Sequence, residues 1–312
     1  MRRALLVGID HYANPKKNLN GCVNDANRMK EVFETHENKD RNFDCKMLVS
    51  SKKDNVTRSK LKEHIKMLFN HRDNDTVLLY FSGHGATTDA GTYLVTYDAQ
   101  PNDEGISLME IVALANNSKA KEVVIILDCC HAGGAGNSID LGERKVVLRE
   151  GISILAAATE DQYSWEKGGY GVFTSIIYNA MLGGAADVRG KINLSSLYYY
   201  ADTLLNAWKQ RPVFKSHVSQ MISLRDCKPK IPSPILRKLT TYFEGSKTGM
   251  QLSPNFLEDQ GADDKGLLEV MSHLRMYHFN GLIYLPDSKT LEEAALYKKP
   301  CCLTPLGEYC KK

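Results

Sequence analysis

No stretch of the 312-residue chain approaches the run of about 20 apolar residues that a membrane-spanning helix needs. The start, Met1-Arg2-Arg3-Ala4-Leu5-Leu6-Val7-Gly8, is basic and then apolar, as a secretion signal is, but Asp10 and His11 end it early. It reads instead as the first core strand of a cytoplasmic protein. Charge of one sign is also missing. Forty basic against 37 acidic residues leave a net charge of +3, too even to demand nucleic acid or an acidic membrane as partner. The eight cysteines form no CxxC pair, so the usual zinc spacing is absent and reduced thiols are expected. Internal repeats and low-complexity tracts are lacking too. What is present, 43% hydrophobic and 25% charged residues, suits a globular chain with one large domain and a small one.

Strand-like and helix-like segments alternate over the first 225 residues. Strands are expected at 4–9, 45–49, 76–81, 122–127, 152–157 and 220–224. Several are unbroken apolar runs, as in strands covered on both faces. Between them, Cys22, Ala26, Met29, Val32 and Phe33 share one helical face, and Leu61, Ile65, Leu68 and Phe69 share another behind a capping Thr57. Ser107 is placed to cap a third helix, and 173–182 and 195–208 read as two more. The alternation predicts an α/β domain at 1–228: a mostly parallel six-stranded sheet with helices on both faces. Pro229, Pro232 and Pro234 mark a linker. Residues 235–312 form a small α+β domain of winged-helix-like pattern, for which a regulatory protein partner is favoured over DNA.

Two glycine-flanked loops follow apolar strands: Phe81-Ser82-Gly83-His84-Gly85 and Asp128-Cys129-Cys130-His131-Ala132-Gly133-Gly134. A parallel sheet gathers its functional groups at the carboxyl ends of its strands. His84 and a cysteine of the second loop are therefore expected at one edge. An imidazole can hold the proton of a thiol, release a thiolate nucleophile and later protonate a leaving amine. Gly83 and Gly85 would let a substrate backbone approach and, with the amide of Cys130, support an oxyanion. Each residue alone also fits a structural role, and the Cys-Cys-His run is a poor zinc site because its ligands are adjacent.

These pieces resemble caspase-like cysteine peptidases, and among them metacaspases and their bacterial relatives. Besides Ser82-Gly83-His84-Gly85 and Asp128-Cys129-Cys130-His131-Ala132-Gly133, the segments Gly21-Cys22-Val23-Asn24-Asp25-Ala26 and Gly171-Val172-Phe173-Thr174 are similar. The resemblance covers about residues 4–225 and implies a caspase-like fold. It implies Cys130 as nucleophile, since the family's cysteine directly precedes the His, with His84 as base. Ala132 stands where the family usually has Ser. The resemblance further implies cleavage after Arg or Lys, with Asp25 and Asp128 as pocket carboxylates beside Cys22 and Ser82. Otherwise Asp25 is a first-turn helix acid and Asp128 a loop cap.

The resemblance implies a regulated stress, defence or cell-death effector, and an enzyme selective for basic residues could process itself. Arg144, Lys145 and Arg149 lie in a polar loop that could be cut, or simply solvated. Asp161, Trp165 and Glu166 fall where a cleft wall is expected. Many metacaspases bind calcium, but residues 87–93 are nearly acid-free, so no metal or other cofactor is expected. The competing readings are a catalytically silent regulator of caspase fold, and a DNA-binding regulator acting through the second domain.

Overall fold

The computed structural model describes residues 1–51, 53–70, 75–131, 147–157, 168–205, 212–244, 249–257 and 265–311, with backbone alone for residues 130 and 131. In chain order the first part contains β1 (Arg2–Gly8), α1 (Cys22–Glu34), β2 (Asp44–Val49), α2 (Arg58–Asn70), β3 (Thr76–Thr88), β4 (Gly91–Gln100), β5 (Asp103–Ser107), α3 (Leu108–Asn116) and β6 (Glu122–His131). It continues through β7 (Ile152–Ala156), α4 (Val172–Asn179), β8 (Lys191–Ile192), α5 (Leu194–Leu205), β9 (Val213–His217) and β10 (Arg225–Asp226).

Eight of these strands form one sheet in the order β2-β1-β3-β6-β7-β9, extended by a hairpin in which β4 pairs with β3 and β5 with β4, while β8 and β10 pair with each other apart from it. Strands β2, β1, β3, β6 and β7 run parallel. Apolar runs produce this because both faces of the sheet are covered. Along β1, Leu5 and Val7 join the core under α2 and α3, while Ala4 and Leu6 join the core under α1, α4 and α5. Leu61, Ile65 and Phe69 of α2 and Ala26, Met29 and Phe33 of α1 are fully buried. Helix α3 starts at Ser107, whose hydroxyl accepts from the Glu110 amide.

The sixth strand of the sheet corrects the expectation. It is β9 at Val213–His217, antiparallel to β7, and residues 220–224 are irregular. An edge strand has one open side. Residues 215–217 are accordingly exposed, which leaves no continuous apolar run to read. In 220–224 only Leu224 is fully buried, and its amide bonds the Ile192 carbonyl.

The chain divides into two units, Met1–Ala186 with Lys191–Cys227, and Asp187–Gly190 with Lys228–Lys312. The second contains α6 (Ser233–Tyr242), β11 (Met250–Gln251), α7 (Lys265–Phe279), β12 (Ile283–Tyr284), α8 (Leu291–Leu296), β13 (Pro300–Leu303) and α9 (Pro305–Lys311). Its antiparallel strands are ordered β11-β13-β12, around Leu239, Phe243, Leu274, Tyr277 and Cys301. Among the described residues no helix is long and apolar enough to cross a membrane.

Gly8 sets how closely α1 can follow β1. A Cβ there would stand 2.4 Å from the Cys22 carbonyl oxygen, a backbone atom that cannot swing away. Gly8→Ala is expected to cost about 1–3 kcal/mol of stability, read as a lower urea midpoint. An unchanged midpoint would show that α1 has slack over the sheet.

Candidate active site

Strands β3 and β6 pair in register from Thr76↔Glu122 to Gly85↔His131, and this ladder sets His84 opposite Cys130. Neighbouring strands lie about 4.8 Å apart, so residues 46 positions apart in sequence become adjacent at the carboxyl end of the sheet. Cys129 is 3% exposed and belongs to the core under α2 and α3, which withdraws it from any surface chemistry.

The His84 side chain is held from two directions. Its Nε2 lies 2.8 Å from the Lys17 carbonyl oxygen. A carbonyl only accepts, so Nε2 carries the proton and Nδ1 is left as the nitrogen that can exchange one. The ring leans on Tyr12, with centroids 4.8 Å apart. The His84 backbone amide donates to the Tyr12 hydroxyl at 2.9 Å. Burial pushes the Tyr12 phenol well above its ordinary range, so it stays neutral. Gly83 leaves room for this contact, since a Cβ there would meet the Phe81 ring at 2.9 Å and the Tyr12 hydroxyl at 3.1 Å. Gly85 is buried and paired on both sides, with His131 of β6 and Leu94 of β4.

Two carboxylates meet on the α1 and α4 side. Asp25, in the first turn of α1 and 1% exposed, accepts from Ser82 Oγ at 3.0 Å. It also accepts the Gly171 amide on both oxygens, at 3.0 and 3.2 Å. Asp128, at the end of β6, accepts from the Thr174 amide at 3.1 Å and from Thr174 Oγ1 at 2.5 Å. The buried Tyr80 hydroxyl bonds the same Thr174 oxygen. A Cβ on Gly171 would stand 2.6 Å from Asp128 Oδ2 and 2.9 Å from Asp25 Oδ2, so the two acids flank one missing side chain. Burial drives the Cys22 thiol well above its ordinary value of 9.0, against an opposing hydrogen bond with Ser82, and the charges of Asp10, Asp25 and Asp128 add to the rise.

Helices α1 and α4 both begin after a glycine, Gly21 and Gly171, that offers no capping side chain. Strand-end carboxylates take over that task. Asp10 accepts the Cys22 and Val23 amides at 2.8 and 3.3 Å, and Asp128 accepts the Thr174 amide of α4.

The structure thus groups His84, Gly83, Gly85 and the Cys130 backbone at one edge, and Asp25, Asp128, Ser82 and Cys22 beside it. Arg149 is elsewhere. Its guanidinium donates to the Ala120 carbonyl at 2.6 Å, before the start of β6 and at the opposite end of that strand from Cys130. Arg144, Lys145, Asp161, Trp165 and Glu166 lie outside the described residues. Tyr12, the Lys17 carbonyl, Asp10, Gly171 and Thr174 were not anticipated as parts of the site. Gly171 and Thr174 fell within a segment that resembles the family, but with no site role attached. Among the described residues no cluster of three or more His, Cys, Asp or Glu is arranged to hold a metal ion.

A family model for the caspase domain (peptidase C14) matches residues 1–222. Metacaspase-1 of Debaryomyces hansenii is 27% identical over 164 residues, 48% of this chain and 37% of its own length. Metacaspase-1 of Scheffersomyces stipitis is 26% identical over 189 residues, 54% of this chain and 46% of its own. Metacaspase-6 of Arabidopsis thaliana is 28% identical over 149 residues, 43% and 38% respectively. The chain therefore spans less than half the length of these relatives. Among solved structures, a protein from Geobacter sulfurreducens superposes with a TM-score of 0.53 at 18% identity, over 73% of this chain and 99% of that one. Caspase-1 from Spodoptera frugiperda gives 0.51 at 13% identity, over 73% and 90%. At these identities the structural likeness is one of fold.

The buried Cys22 thiol has a stability consequence. The folded chain keeps its proton above pH 9, where the unfolded chain, at the ordinary value of 9.0, loses it. The native state then binds more protons, so stability falls as pH rises past about 9. The urea midpoint is expected to drop between pH 8 and pH 10, less steeply in Cys22→Ala. Equal slopes in the two proteins would contradict the assignment.

Proposed function

Because the chain belongs to the caspase domain family of cysteine peptidases, we propose that it is an endopeptidase cutting proteins after Arg or Lys, with Cys130 as nucleophile and His84 as its proton partner. The observation that carries this reading is the strand register that sets His84 against Cys130. The basic preference is supported by Asp25 and Asp128, two hydrogen-bonded carboxylates on either side of Gly171. A guanidinium or ammonium entering between them meets acceptors already oriented.

The chemistry follows from the held imidazole. Nδ1 of His84 takes the thiol proton, and the Cys130 thiolate attacks the carbonyl carbon of the substrate. The amides of Cys130 and Gly83 stabilise the oxyanion, while Gly85, paired on both sides, holds the strand end. As the C–N bond breaks, His84 returns its proton to the leaving amine, and a thioester remains. Water then attacks the thioester with His84 as base. The bond from Nε2 to Lys17 keeps the ring aligned through both steps.

A silent regulatory protein of the same fold would have no use for both a held His84 and Cys130. A DNA-reading role for the second unit would appear as salt-dependent binding of duplex DNA.

A positional peptide library, with and without calcium, is expected to give cuts after Arg and Lys that Cys130→Ala abolishes. Asp25→Asn or Asp128→Asn should weaken transition-state binding of a basic residue by about 2 kcal/mol or more, at least about 30-fold in kcat/KM. Cuts after acidic residues would overturn the pocket assignment. No turnover, together with no labelling of Cys130 by an arginyl electrophile, would leave the silent regulator.

A further inference from the structure

His84 has a second neighbourhood that the dyad does not use. On the side of the sheet opposite the two carboxylates lies a cavity of about 300 Å³ with His84 in its wall. Its floor is apolar, built from Ala86, Val95 and Ala99, which pack with the core under α2 and α3. Lys17, Thr87, Thr88, Gln100 and Glu104 add polar groups to its lining.

The cavity is built by a bulge. Strands β4 and β5 pair at Val95↔Gly105 and again at Gln100↔Asp103. Between these pairs β4 has four residues, 96 to 99, and β5 has one, Glu104. The surplus bows outward and leaves a hollow. Hydrogen bonds fix the bow. The Tyr97 amide donates to the Val56 carbonyl, and its own carbonyl accepts the Ala13 amide, both at 2.9 Å. Thr96 Oγ1 and the Arg58 amide both donate to Asp98, at 2.8 and 2.9 Å. The hollow is therefore formed before any ligand arrives.

We infer that this cavity is the subsite for the side chain immediately after the scissile bond, and that it selects an apolar residue of the size of Val or Leu. The inference rests on His84 as the acid that protonates the leaving amine. The residue bearing that amine must lie against His84, and among the described residues this cavity is a hollow with an apolar floor and His84 in its wall. The substrate then crosses the sheet edge with its basic side chain on the α1 and α4 face and its next side chain on the α2 and α3 face.

Quenched peptides with Arg before the cut and Gly, Ala, Val, Leu, Phe, Asp or Lys after it test this. Wild type is expected to favour Val or Leu over Gly and Asp by about tenfold or more in kcat/KM. Ala99→Phe should lower the Leu-to-Gly ratio about tenfold, and Ala86→Phe should do the same if the first variant does not fold. Binding of an arginine aldehyde, which occupies only the basic side, reports the carboxylate pocket separately. If the aldehyde binds and the peptides are cut with no preference after the scissile bond, or the ratio is unchanged in both folded variants, the subsite is overturned. If neither aldehyde binding nor cleavage occurs, the proposed function itself fails.

Discussion

The ten-residue parallel ladder between β3 and β6 is the constraint on which the rest depends. His84 and Cys130 reach one another through the register of their strands. Both are carried there by the ladder below them, five apolar pairs from Val77↔Val123 to Phe81↔Leu127 and then Ser82↔Asp128 and Gly83↔Cys129. Each pair is fixed on two faces, because alternate side chains enter different cores. A one-residue slip would move every apolar side chain of the strand to the wrong face. It would also set His84 against Cys129 or His131. The core thereby fixes which residue of β6 stands against His84.

A second layer of order is electrostatic. The segment after β1 has to reach back over β3 for Tyr12 and Lys17 to hold His84. Asp10 anchors that segment by accepting the first amides of α1. The carboxylates that neighbour Gly171 are likewise part of the helix starts, Asp25 within the first turn of α1 and Asp128 against the third residue of α4. The proposed pocket role of these acids and their structural role, which compete when the residues are read alone, call on the same carboxylate atoms. Ser82 and Thr174 complete the set by donating hydroxyl protons to carboxylates that would otherwise be costly to bury.

The parallel centre of the sheet was legible because burial on both faces writes an unbroken apolar run, as in Val77-Leu78-Leu79-Tyr80-Phe81. The helices over it were legible from their stripes. The edge strand Val213–His217 was not, since a half-solvated strand may carry Lys215 and His217 at no cost. The hairpin β4–β5 escaped notice for a similar reason: its bulge breaks the period of two. At the site, His84 and Cys130 stood out by residue type and by the glycines around them. Tyr12 and the Lys17 carbonyl did not. A backbone oxygen has no signature in a sequence, and a tyrosine four residues beyond a strand has no pattern that separates it from any other aromatic.

The borrowed caps have a consequence for how such a pocket could change its taste. Asp128 faces the positive end of α4, whose cap position, Gly171, has no side chain to offer. Exchanging it for arginine to recruit acidic substrates would set a cation against unsatisfied amides and against the partial positive charge of the helix. The acid-selective and base-selective versions of this pocket are thus separated by a valley: a cap must first be supplied elsewhere, at position 171 or beside it. Any side chain placed at 171 would fill the space between the two carboxylates. On the proposed reading, preference for the charge of the bound residue is tied, in this architecture, to how a helix begins.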